Sequence, residues 1–228
     1  MTPALYLIPV GLGGDPRRVL PAPTLEAARA IRDFAVENAK SARAFLSALE
    51  MPCPLRELRI TEIGTDAHAL LAPLRAGRPL GVISEAGCPG IADPGQALVA
   101  EAHRAGFRVV PLVGPSSLLL ALMASGLEGQ RFAFCGYLPR EAAARTRRIR
   151  ELERRSRTAR ETQIFIETPY RNDALLGALI EACAPDTRLC VAADLTLESE
   201  LIVTRRVGEW RRVRPALLRR PAVFLLLA

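Results

Sequence analysis

The chain has 228 residues, half of them hydrophobic and 24% charged, which excludes a disordered chain and leaves room for one large domain or two small ones. Aromatic residues make up 5%, too few for a nucleic-acid surface built from stacked rings. The net charge of +7 is concentrated in residues 132–228, which hold 18 basic and 12 acidic side chains. This excess of basic side chains is typical of a protein that binds a polyanion such as RNA. A solvated surface with no such partner can carry the same excess.

The cysteines and histidines exclude several kinds of site. The five cysteines form no C-x-x-C pair and are odd in number, so we expect no zinc site, no disulfide framework and a reducing, cytoplasmic location. His68 and His103 lie on separate predicted helices, so we expect no metal and no Ser-His-Asp triad. Because the N-terminus lacks a basic region before its apolar run, and no run reaches about 18 residues, we expect neither a signal peptide nor a membrane span.

In the first half of the chain, short apolar runs alternate with helical patterns, which predicts βαβ units and a mostly parallel sheet. Strands are predicted at 4–10, 34–36, 58–60, 80–83 and 107–113. Helices are predicted at 24–32, 38–49, 66–76 and 93–106. Thr24 and Asn38 are the expected N-caps of the first two helices, and Asp93 is the expected start of the last.

The second half contains neighbouring strands with no helix between them, which predicts a mixed sheet. Strands are predicted at 131–135, 164–166, 189–192, 201–203 and 222–227. Helices are predicted at 117–125, 140–160, 172–183 and 207–218. We therefore predict two α/β domains, residues 1–114 and 115–228.

The most informative segment is L-G-V-I-S-E-A-G-C-P-G-I-A-D-P-G, residues 80–95. A buried strand breaks here into a turn with five Gly or Pro residues in nine positions, whereas a plain connector would need only one. In open α/β sheets, ligands bind beyond the carboxyl ends of the strands, where glycines let them approach the backbone. The segment therefore predicts a ligand-binding loop, with Glu85, Cys88 and Asp93 in and just after the turn.

Other strand ends also carry polar residues. E-N-A-K-S-A-R, residues 37–43, makes Glu37 and Lys40 candidates for a functional role, while Asn38 is explained by helix capping. E-T-P-Y-R, residues 167–171, is the corresponding segment of the second half. G-L-G-G-D-P, residues 11–16, is not a dinucleotide fingerprint, because Pro16 stands where a helix should start. The arginine-rich helix at 140–160 is either a solvated helix with internal ion pairs or an RNA contact.

Seven blocks, taken in order, resemble the tetrapyrrole methylase superfamily of S-adenosylmethionine-dependent methyltransferases. They are L-Y-L-I-P, E-N-A-K-S-A-R, S-E-A-G-C-P-G-I-A-D-P-G, V-V-P-L-V-G-P-S-S with A-S-G-L after it, F-C-G-Y-L-P-R, E-T-P-Y-R and A-A-D-L-T. Within the superfamily the chain is most similar to the ribosomal small-subunit RNA methyltransferase I family, which methylates a cytidine ribose 2′-oxygen. The likeness runs from Leu5 to Leu227, and the chain ends before the helical extension of the RNA enzyme, so we expect a diverged relative without it.

The resemblance implies a fold of two α/β domains with S-adenosylmethionine in a cleft between them, and a homodimer. A hydroxyl acceptor must lose a proton when it is methylated, and Glu37 and Lys40 are the candidate catalytic residues that would accept it. The resemblance also implies cofactor contacts from Val10, Ser84, Glu85, Ala86, Gly87, Cys88, Ser117, Leu118, Glu167 and Ala193.

The chain departs from the family pattern on the substrate side. The family has Asp at the positions of Asn38 and Glu85. It has His at the position of Tyr170, Arg at that of Ala193 and Lys at that of Leu197. Three hypotheses follow: a methyltransferase acting on the ribose of ribosomal RNA, a methyltransferase acting on a tetrapyrrole or other small molecule, and a cofactor-binding relative that has lost catalysis.

Overall fold

The computed structural model describes residues 2–64 and 66–228, which form two compact units, one ending at Ser116 and the other spanning Ser117–Ala228. Each unit is an α/β structure built on one five-stranded sheet, which confirms the predicted fold class. The assignment of independent domains to residues 1–114 and 115–228 stays a prediction.

The sheet of the first unit is wholly parallel, in the order β3-β2-β4-β1-β5. Its strands are β1 (Leu5–Ile8), β2 (Asp33–Val36), β3 (Arg59–Glu62), β4 (Leu80–Ile83) and β5 (Val109–Pro111). Its helices are α1 (Ala22–Ala30), α2 (Ala39–Ala48), α3 (Ala67–Leu70), α4 (Ala72–Arg75) and α5 (Gln96–Arg104). Because all five strands run the same way, the loops that follow them gather at one edge of the sheet.

Close packing fixes the centre of this sheet, and an ion cluster around one buried carboxylate lies at its amino edge. A Cβ added at Gly81 of β4 would lie 2.7 Å from Ile8 and 2.9 Å from Phe34, so only glycine fits there. At the opposite, amino edge, the buried carboxylate of Asp33 accepts hydrogen bonds from Arg59 at 2.5 and 2.6 Å and from Arg78 at 3.2 Å. The hydrogen bonds from Arg59, with those from Arg78, lower the pKa of Asp33 from its ordinary value.

The cap predicted at Asn38 is confirmed, since its Oδ1 accepts from Lys40 N at 2.9 Å. The cap predicted at Thr24 is wrong: α1 begins at Ala22, and the Thr24 hydroxyl donates instead to the Val113 carbonyl at 2.7 Å. The expected helix start at Asp93 is also wrong, because positive φ angles at Ala92 and Gly95 keep the chain in turns until α5 begins.

The sheet of the second unit is mixed, as predicted, in the order β6-β7-β10-β8-β9. Its strands are β6 (Phe132–Tyr137), β7 (Thr162–Ile166), β8 (Arg188–Ala193), β9 (Leu201–Arg206) and β10 (Ala222–Leu227). Only β6 and β7 are parallel; the other three pairings are antiparallel. Its helices are α6 (Ser117–Ser125), α7 (Ala142–Ala159), α8 (Asn172–Ala182) and α9 (Val207–Trp210).

The helix predicted at 207–218 is wrong beyond its first turn, because α9 ends at Trp210. The buried Trp210 indole donates to the Leu189 carbonyl at 3.0 Å, which anchors α9 against the start of β8. Farther on, Leu217 enters the core and its N–H donates to the Asp173 carboxylate at 2.9 Å. Pro215 cannot continue a helix, and the contacts of Leu217 hold the segment in a non-helical path before β10.

Candidate functional site

Three carboxylates gather where β2 and β4 of the first unit end; we call Glu37, Glu85 and Asp93 the acidic edge. Glu37 directly follows β2, and its Oε2 accepts a hydrogen bond from the Glu85 backbone N–H at 3.0 Å. The Glu85 carboxylate accepts from the Ser41 hydroxyl at 3.4 Å. Within residues 2–64 and 66–228, none of the three carboxylates forms an ion pair. The acidic edge therefore keeps its negative charge available to a cationic ligand.

Asp93 is the most perturbed carboxyl group of the acidic edge. Burial and the charge of Glu37 raise its pKa from 3.8 to about 6, with a smaller contribution from Glu85, while the Ser84 hydroxyl opposes the shift. A carboxylate with this pKa is mostly ionised at pH 7 and accepts a proton more readily than an ordinary aspartate does.

The glycine-rich loop is tied back to the first strand. Val10 and Gly87 exchange two backbone hydrogen bonds, of 2.8 and 3.1 Å, which form an isolated antiparallel bridge. Gly87 has φ +70°, a left-handed conformation that a branched side chain adopts only with strain. Beside it, burial and the charge of Asp93 raise the pKa of the Cys88 thiol, which therefore stays protonated at neutral pH.

The predicted residues of the first unit thus come together around one edge. Val10, Ser84 and Gly87 are buried, whereas Glu85 and Ala86 are exposed. Lys40 is exposed in the first turn of α2, close in sequence to Glu37. A role for each of these residues in binding or catalysis stays a prediction.

In the second unit, two ion pairs lie at the edge where β7 and β8 end and β10 begins. Glu167, directly after β7, accepts from Arg171 at 2.5 and 2.6 Å and from the Thr168 backbone at 2.7 Å. Asp194, directly after β8, accepts from Arg220 at 2.7 Å. The strand register brings the two pairs to the same edge, since Val223 of β10 pairs with both Ile166 and Ala192.

The other predicted residues of the second unit occupy different environments. Ala193 ends β8, and its side chain is fully buried in the hydrophobic core, which leaves only its backbone for a ligand. Ser117 and Leu118 form the partly exposed first turn of α6, which packs on β8, β9 and β10. Their contacts with a cofactor stay predictions, as does that of Glu167.

Sequence reasoning missed three features of these edges. Asp93 is a candidate from its position just after the glycine-rich turn, but the sequence does not predict its raised pKa, which depends on burial and on the charge of Glu37. Ser41 was not singled out, although its hydroxyl reaches Glu85 from α2. Asp194 has φ +51°, a strained conformation for a non-glycine residue, and no sequence pattern signals it.

The described residues contain neither a metal-binding cluster nor a membrane-spanning helix. Residues 2–64 and 66–228 contain no group of three or more His, Cys, Asp or Glu side chains arranged to hold a metal ion. No helix in these ranges has the length and apolar character needed to cross a bilayer.

Residues 4–210 match the family model of the tetrapyrrole (corrin/porphyrin) methylases. The chain belongs to this family. Its members are S-adenosylmethionine-dependent methyltransferases, so the family confirms both the predicted enzyme class and the predicted methyl donor.

Among curated relatives, this tetrapyrrole methylase is 35% identical over 196 residues to a ribosomal RNA small subunit methyltransferase I of Mesorhizobium japonicum, covering 86% of this chain and 65% of the relative. The enzyme of that name from Vibrio cholerae is 31% identical over 202 residues, covering 88% of this chain and 67% of the relative. The chain thus spans about two thirds of the length of these relatives. The solved structure of the methyltransferase CobJ, 19% identical, superposes with a TM-score of 0.65 over 98% of this chain and 93% of that one, which confirms the fold.

The acidic edge fits the methyl donor of the family. S-adenosylmethionine carries a sulfonium and an ammonium group, and carboxylates without ion-pair partners favour such cations in a partly desolvated site. The exposed Glu85 carboxylate and the half-buried Asp93 are the groups of the first unit that would face this positive charge.

Proposed function

We propose that this chain transfers a methyl group from S-adenosylmethionine to small-subunit ribosomal RNA. The observation that carries the proposal is the acidic edge, where Glu37 meets two carboxylates of the glycine-rich loop at the carboxyl ends of parallel strands. The names of the relatives that match most of the chain support ribosomal RNA as the acceptor.

When bound, S-adenosylmethionine supplies an electrophilic methyl group on a sulfonium sulfur. The protein's part is to bind, to orient and to hold a proton. The Val10–Gly87 bridge fixes the loop, and Glu37 fixes the start of the turn by accepting from the Glu85 N–H. Holding the acceptor oxygen in line with the methyl group would supply most of the rate enhancement.

We further propose that the acceptor is a ribose 2′-hydroxyl, which must lose a proton as it is methylated. Glu37 and Lys40 are the candidates that the sequence suggested. The Asp93 carboxylate joins them, because a pKa of about 6 lies closer to the working pH than that of an ordinary aspartate. An RNA phosphate near the exposed Lys40 ammonium would be attracted by its charge.

The decisive experiment incubates the purified protein and radiolabelled S-adenosylmethionine with small ribosomal subunits from cells that lack the protein. We expect one labelled site, which mass spectrometry of nuclease fragments places on a ribose. Calorimetric titration should give donor binding in the micromolar range, about −8 kcal/mol. Donor binding without labelled RNA would instead favour a tetrapyrrole or other small molecule as acceptor, or a cofactor-binding protein without catalysis.

We also propose that the protein is a homodimer. The second unit exposes apolar side chains on α6, where Leu119 and Met123 lie one turn apart, and on the edge strand β6, where Phe132 and Phe134 share a face. Exposed apolar residues on an edge strand favour association with another chain, and a twofold pairing is the commonest form. Light scattering at tens of micromolar should give two chains per particle, and Met123→Asp should lower that number. One chain per particle in the unmodified protein would contradict the proposal.

A cytoplasmic location is proposed from the ribosomal acceptor and from the five cysteines, each of which has a free thiol. Fractionation of cells expressing a tagged chain tests it, and recovery with the envelope would contradict it.

A further inference from the structure

The outer face of α7 carries a row of four exposed arginines. They are Arg147, Arg150, Arg154 and Arg157, called here the arginine row. Their spacing of three, four and three residues places them in one sector of the helix, over about 15 Å of its length. The row points away from Ile149, Leu152 and Ser156, which α7 buries against the sheet.

The arginine row lacks close carboxylate partners within the part of the chain that the structure describes, although Arg147 interacts electrostatically with Glu141. None of its four members forms an ion pair there, whereas two arginines on the neighbouring faces do. Arg148 pairs with Glu151 at 3.2 Å, and Arg155 pairs with Glu161 at 2.9 Å. Like charges three or four residues apart destabilise a helix, so this face differs from a solvated helix held by internal ion pairs. A polyanionic partner is what would stabilise it.

The position of the arginine row connects it with the polar edge of the second unit. α7 follows β6, whose last residue, Tyr137, pairs with Ile166, the residue before Glu167. The amino end of α7 therefore lies towards the edge that holds Glu167, and Arg147 comes about 8 Å along the helix from its first residue. The row then continues away from that edge along the surface of the unit.

We propose that the arginine row binds the phosphate backbone of the RNA acceptor. This proposal rests on the proposed function and names the surface that holds the RNA outside the catalytic site. Guanidinium groups bind phosphate oxygens in a bidentate geometry, and such contacts position a nucleic acid without selecting its sequence. Four arginines over this length suit successive phosphates of one strand.

The test compares two variants of equal charge change in the full chain. In the row variant, the arginines at 147, 150, 154 and 157 become Gln. In the control variant, Arg18, Arg56, Arg108 and Arg188 become Gln; these are exposed arginines outside α7 that form no ion pair among the described residues. The probe is naked small-subunit ribosomal RNA, and filter binding measures its affinity between about 50 and 200 mM salt.

We expect the row variant to flatten the log–log salt dependence by about 2 to 3, because each lost contact with a single strand removes about 0.7. Its affinity at low salt should fall by about tenfold or more, and the control variant should change the slope by less than about 1. Calorimetry should show unchanged S-adenosylmethionine binding in both variants, which reports that the fold and the acidic edge are intact.

Equal changes in the two variants would overturn the proposal, since they would reflect net charge alone. An unchanged row variant, or an unmodified protein that does not bind the RNA, would also overturn it. Loss of binding to intact small subunits without loss of binding to naked RNA would assign the row to a ribosomal protein instead. RNA binding through the row without methyl transfer would support this proposal while contradicting the proposed function.

Discussion

Asp93→Asn should stabilise the protein at neutral pH, because it removes a charge that the fold disfavours. The pKa of Asp93 rises from 3.8 to about 6 on folding, a shift of about 2 units. At about 1.4 kcal/mol per unit, the upper limit of the cost at pH 7 is about 3 kcal/mol. Because the side chain is only half-buried, solvent screening reduces this to about 1 to 2 kcal/mol.

The pH dependence gives the sharper test. Between pH 4 and 6 the native protein binds more protons at Asp93 than the unfolded chain does, so its stability falls as the pH rises. Urea unfolding should therefore give equal stabilities for the variant and the parent at pH ~3, below the unfolded pKa, and a difference of about 1 to 2 kcal/mol near pH 7. Asp186→Asn, at an exposed position, is the control and should show no such trend. A constant difference across this range, or a destabilised variant at pH 7, would refute the reasoning.

Three further predictions follow from single contacts. Gly87→Val should weaken S-adenosylmethionine binding at least about tenfold, which calorimetry measures. It should also cost roughly 1 to 2 kcal/mol of stability in urea unfolding, because valine is strained at φ +70°. Asp33→Asn should cost about 1 to 2 kcal/mol at pH 7, because Arg59 and Arg78 lose their shared carboxylate. That difference should shrink as the pH falls through and below 3.8, because the folded pKa is lowered. Asn38→Ala should cost about 1 kcal/mol in urea unfolding through loss of the α2 cap.

Each of these predictions has an outcome that contradicts it. Gly106→Val is the matched control for Gly87, since it has φ +74° at the end of α5, outside the acidic edge; equal loss of donor binding in both would remove the special role of Gly87. An Asp33 variant whose deficit grows on acidification would contradict the sign of the argument. An Asn38 variant as stable as the parent would show that the Glu62 carboxylate, which accepts from the Ala39 N–H at 2.8 Å, is sufficient as a cap.

The sequence alone determined most of the local elements and the kind of sheet. Residues 117–125 and 222–227 were predicted as a helix and a strand, and both elements have those limits. Apolar runs separated by helical patterns gave a parallel sheet in the first half, and adjacent strands gave a mixed one in the second. These features follow from patterns within about twenty neighbouring residues, where backbone propensity and hydrophobic periodicity decide the outcome.

Family membership and the location of the glycine-rich loop were also predictable, because both depend on short motifs in a fixed order. The functional residues within that loop were only partly predictable. Glu37 and Glu85 were candidates from their positions after buried strands, and the structure joins them through one hydrogen bond. Their contact depends on β2 lying beside β4, although 48 residues separate the two side chains in the chain.

Only the tertiary structure decided the perturbed state of Asp93 and the path of the chain after α9. The raised pKa of Asp93 arises from burial and from the charge of Glu37, which is distant in sequence. Pro215 prevents a regular helix over 207–218, and the contact of Leu217 with α8 fixes the path that the chain takes instead. In both places long-range contacts decide the outcome, because burial and electrostatic interactions depend on which strands and helices become neighbours and not on their order in the sequence.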